Sequence, residues 1–76
     1  MIGWYTKNRN GFIDLWFKLG EKESLWKPVY NPKTGNWSAA METRIPVTKE
    51  NLPSTVAKKL TEETSVEVEI YFRVIE

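Results

Sequence analysis

The sequence predicts an α+β fold: a small, mostly antiparallel, twisted β-sheet of four to six strands with one short helix packed on one face. Three observations carry this expectation. Apolar and polar residues alternate with the period of a strand over Phe12–Leu19 and again over Val66–Ile75. Turn-forming runs that end in Gly, Asn8-Arg9-Asn10-Gly11 and Asn31-Pro32-Lys33-Thr34-Gly35, punctuate the first half. One stretch alone, near 52–63, places apolar residues at helical spacing, with Leu52, Val56 and Leu60 on one stripe.

The elements follow in order. Ile2–Lys7 is a short strand that runs into the Asn8–Gly11 turn. After that turn, Ile13, Leu15, Phe17 and Leu19 share a uniformly apolar face, expected to meet the core; Phe12, Asp14, Trp16 and Lys18 share the other. Gly20–Ser24 is a polar break. A third strand is expected over Leu25–Tyr30, as an edge or bulged strand, because Pro28 cannot donate a ladder hydrogen bond. Asn31–Gly35 suits a type I turn closed by a left-handed Gly, and Trp37 opens a return strand to about Met41. Arg44–Val47 is a further extended piece. Thr48 or Asn51 caps the helix, Pro53 is tolerated in its first turn, and tertiary packing must hold so short an element. In the last strand Val66, Val68, Ile70, Phe72 and Val74 point inward, and Glu67, Glu69, Tyr71 and Arg73 outward.

Length and composition bound the rest. The 76 residues suffice for a single domain, 1–76, at a size where roughly 60% of the unfolded surface can be buried. Four Trp supply much burial per residue, which helps a small core that has no disulfide to staple it. The absence of Cys removes thiolate nucleophiles and thiolate metal sites and favours a cytoplasmic, intracellular setting. No signal peptide and no membrane span is expected, since apolar runs reach only three residues, as at Leu15–Phe17. Charge is mildly asymmetric: residues 1–38 carry six basic and three acidic side chains, residues 39–76 five and seven, for a net +1.

Catalytic chemistry is poorly supplied. Without His or Cys, the usual general base, imidazole metal ligand and nucleophilic triads are missing. Glu67 and Glu69 share a strand face with Arg73 and read as a solvated outer face. Asp14, between Phe12 and Trp16, reads as a cross-strand partner for Lys18 or another base. No enzyme, no cofactor and no metal is therefore expected; the protein acts by binding.

Two aromatic groups are candidate contacts. Phe12 and Trp16, bordered by Asp14, Lys18 and Arg9, either lie beneath the helix or a neighbouring strand end, or form an exposed patch anchored by Trp16. Trp26, Lys27, Tyr30, Lys33 and Trp37 surround the second turn; they either pair across a hairpin or offer rings and cations to single-stranded nucleic acid. In composition the chain resembles small phage or mobile-element accessory proteins, which implies binding to, and inhibiting or redirecting, a larger protein. The leading expectation is thus a non-catalytic protein-binding module of inhibitor or adaptor type. A single-stranded nucleic-acid-binding β domain is the second reading, and a structural or homo-oligomeric subunit the third.

Overall fold

The computed structural model describes residues 1–19, 26–40, 43–71 and 75. Six strands and one short helix follow one another as β1 (Ile2–Lys7), β2 (Ile13–Phe17), β3 (Val29–Asn31), β4 (Asn36–Ser38), β5 (Thr43–Val47), α1 (Ser54–Lys59) and β6 (Ser65–Glu69). Four of the strands form an antiparallel sheet in the order β5-β2-β1-β6, and β3 and β4 form a separate two-stranded hairpin. The α+β architecture with one short helix is therefore the one expected. Among the described residues, no helix is long and apolar enough to cross a membrane.

The β5–α1–β6 connection joins the two outer strands of the sheet, so the helix must cross one of its faces. Val56, Leu60 and Val66 make the buried cluster on that side, with Tyr5, Ile13, Leu52 and Val68 packed against it. The stripe Leu52, Val56, Leu60 is thus the core-facing one. The helix itself is shorter than the span expected near 52–63. Leu52, which precedes Pro53, is held extended at φ −88°, ψ 119°, because the proline ring clashes with a helical neighbour. A 3-10 turn, Lys49–Asn51, fills the approach, with Thr48 at its N-cap. Neither Thr48 nor Asn51 caps α1, whose N-cap is Pro53. At the other end the Lys7 ammonium donates to the Leu60 carbonyl at 2.5 Å, so β1 satisfies one of the orphan acceptors of the helix terminus.

The opposite face has a buried centre of its own. The register places Trp4 beside Trp16 and Thr6 beside Asp14, all on the side away from the helix. Of the two readings of Trp16, a covered ring or the anchor of an exposed patch, the second fails: Trp4 is 5% exposed, Trp16 6% and Thr6 0%. The Trp16 indole N–H donates to the Thr6 hydroxyl at 2.8 Å, and the Arg44 guanidinium lies 5.5 Å from the Trp16 ring centre. A Trp can be buried at low cost when its one polar atom has a partner, and here it has one. Trp16 is a core residue.

The β3–β4 hairpin is fastened to the sheet near the β1–β2 turn. The Trp37 indole donates to the Lys7 carbonyl at 3.2 Å, and the Arg9 side chain occupies the space a Cβ on Gly35 would need. Gly35 has φ +73° and closes the turn by donating to the Asn31 carbonyl at 2.8 Å, the left-handed position expected of it. Strand β3 starts only at Val29, directly after the buried Pro28, which has no N–H to give a ladder. Leu19, assigned to the core face by alternation, is 57% exposed, since β2 ends at Phe17 and the alternation lapses with it. Leu25, Met41, Phe72, Arg73 and Val74, placed in strands by the sequence, lie outside the described residues.

Candidate partner-binding surface

The β1–β2 turn is held by its own side chain. Asn8 Oδ1 accepts the backbone N–H groups of Asn10 and Phe12, both at 3.0 Å; Asn8 also donates to the Phe12 carbonyl at 3.0 Å. Gly11, at φ +84°, supplies the left-handed residue that the turn requires. The result is a hydrogen-bonded tip that leaves Phe12 in water, 68% exposed. From there an open groove of about 510 Å³ lies where the start of β2 meets the end of β5, with Phe12, Ile13, Pro46 and Val47 as its apolar wall. Asp14, Thr48 and Lys49 supply its polar border. Beside it, the Glu50 carboxyl is held below the usual range by a hydrogen bond from its own backbone N–H, and then by one from the Thr48 hydroxyl.

The residues singled out in the sequence do not converge. Phe12 and Asp14 come together at the groove. Trp16, the expected anchor, is buried and unavailable. Arg9 and Lys18, expected to border Trp16 with Asp14, sit beyond opposite ends of β2, Arg9 exposed against Gly35 and Lys18 half-buried. Tyr30 and Trp37 are directly opposite one another across the hairpin, with ring centres 5.3 Å apart and planes tilted by 55°, and both are half-buried. Of the aromatic residues in the hairpin group, Trp26 alone is well exposed, at 62%, and Lys27 and Lys33 are exposed as well.

Pro46, Val47, Thr48 and Lys49 were not singled out by sequence reasoning, although a signal was present. A proline within an extended run places that run at a sheet edge, and an edge strand next to an exposed turn is where a groove forms. No protein-family model, no curated protein and no solved structure matches the chain.

Proposed function

We propose that this chain is a non-catalytic protein-binding module, acting as an inhibitor or adaptor on a larger protein, with Phe12 as its anchor. The observation that carries this reading is a large ring left 68% exposed on a hydrogen-bonded turn, beside a groove with an apolar wall and a polar border. Single exposed apolar residues are ordinary; an aromatic on a hydrogen-bonded turn next to further apolar wall resembles an interface core, and the backbone that carries it is already ordered. The polar border of Asp14, Thr48 and Lys49 matches the rim of such an interface. Protein is favoured over single-stranded nucleic acid because Tyr30 and Trp37 pack on each other, and the Trp37 N–H is committed to Lys7. Base stacking needs a free ring face.

Capture of partners with the parent chain, Phe12→Ala and Trp26→Ala, with and without nuclease, tests the reading. A protein partner is expected to survive nuclease and to bind Phe12→Ala at least about tenfold more weakly, the loss typical of an aromatic anchor. A partner bound equally by Phe12→Ala, or one released by nuclease, contradicts it.

A further inference from the structure

Among the described residues, the four-stranded sheet ends in two unpaired edges, and they differ. Hydrogen bonds in an antiparallel ladder alternate, so a few of them fix the direction of all. The Ile70 N–H donates to the Met1 carbonyl at 2.7 Å, the Met1 amine to the Ile70 carbonyl at 3.4 Å, and the Lys7 N–H to the Thr64 carbonyl at 2.9 Å. Counting by twos through the register, Val66 and Val68 also bond inward to β1. The N–H and C=O groups of Ser65, Glu67 and Glu69 therefore face outward. The same count from the Asn8–Phe12 bond across β2 leaves Arg44 and Pro46 facing outward on β5. Pro46 has no N–H, so the β5 edge is blunted at its middle. The β6 edge carries no such block, and among the described residues no strand pairs with its outer side.

The two sides of that edge have different chemistry. On the side away from the helix, Glu67 and Glu69 are exposed, and among the described residues the Met1 amine, 3.6 Å from Glu69, is the one cation paired with them. On the helix side, Thr55, Val56, Val68 and Ile70 line a groove of about 440 Å³ that reaches inward from β6 to Tyr5 and Leu15. We infer that the outer edge of β6 receives an extended segment of a partner protein in which Lys or Arg alternates with apolar residues. Main-chain bonds to Ser65, Glu67 and Glu69 lengthen the sheet. The cationic side chains then face Glu67 and Glu69, and the alternate apolar ones enter the groove beside Val56 and Val68. A second copy is the wrong occupant: β6 paired with β6 brings carboxylates opposite one another. This rests on the protein-binding reading but uses the edge remote from Phe12.

The probe is a short synthetic peptide alternating Lys and Val, with a Glu-Val peptide of the same length as its counterpart. Amide hydrogen exchange and chemical shifts are followed by NMR on the full chain. Saturable binding of the Lys-Val peptide is expected, with new protection at the amides of Ser65, Glu67 and Glu69. N-methylation of alternate peptide residues is expected to abolish it. Charge reversal at both acids, Glu67→Lys with Glu69→Lys, is expected to move the preference to the Glu-Val peptide by about tenfold. Phe12→Ala is expected to leave peptide binding unchanged, so the two contacts succeed or fail separately. Equal binding of both peptides, binding that survives N-methylation, shifts without protection on β6, or protection arising from self-association without peptide would each overturn the inference.

Discussion

Both faces of the sheet carry buried residues at their centre, but of different chemistry. Under α1, Val56, Leu60 and Val66 are aliphatic, with no side-chain polar group to satisfy, and their contribution comes from area alone, about 1.5–3 kcal/mol for each fully buried aliphatic side chain. On the other face, Trp4 and Trp16 bury more area per residue, and the polar N–H of Trp16 comes with it. Thr6, wholly buried, answers that N–H with its hydroxyl, and Arg44 lies over the ring. The lesson is that a helix on one face of a small sheet does not leave the other face free. A face built of Trp and a buried Thr is core. Binding is then displaced to what remains outside, the turn tip at Phe12 and the two sheet edges.

That comparison can be broken most severely at Trp16. Trp16→Ala is expected to destabilise the fold by about 3–5 kcal/mol in denaturant titration, as much as Leu60→Ala on the helix side at about 2–5 kcal/mol. A Trp16→Ala variant as stable as the parent would make the second face a surface after all. Thr6→Val keeps the shape and removes the acceptor, stranding the indole N–H. A loss of about 1–3 kcal/mol is expected, and Thr6→Ser should recover part of it. Equal stability of Thr6→Val and parent would show that the bond contributes nothing.

Gly35→Ala sharpens the hairpin's part in this arrangement. It places a Cβ at φ +73° and against Arg9, and a loss of about 1–2 kcal/mol is expected from the left-handed backbone alone. Thermal melts of Gly35→Ala with and without Arg9→Ala separate the backbone strain from the collision. The smallest effect belongs to Phe12→Ala, expected to change stability by less than about 0.5 kcal/mol because the ring is in water. A larger loss would mean that Phe12 contributes to the fold rather than to an interface.

Much of the fold was legible because its signals are local. Asn8–Gly11 and Asn31–Gly35 require Gly at left-handed positions, and both turns formed with Gly11 and Gly35 at positive φ. The alternation of Ile13, Leu15 and Phe17 and the stripe of Val56 and Leu60 placed the helix-side core. The start of the helix was misjudged where one local rule outranked another: periodicity began at Leu52, yet Pro53 forbids a helical Leu52. The fate of Trp16 was not legible, because alternation says which face a residue is on and not what covers it. Only the β1–β2 register, which sets Trp16 opposite Trp4 and diagonal to Thr6, brings the indole N–H to the Thr6 hydroxyl and shows that it is satisfied internally. The groove at Phe12 was half legible: Phe12 and Asp14 lie on one strand, whereas Pro46–Lys49 join them through the β2–β5 pairing.

The burial of the second face is tested most directly by hydrogen exchange at the Trp16 indole N–H, resolved by NMR in the folded protein. With the bond to Thr6 in place and the ring 6% exposed, that proton is expected to exchange as slowly as the best-protected β1–β2 amides, through global unfolding alone. Rapid exchange at the indole while those amides stay protected would put Trp16 in water and contradict a second face whose centre is core.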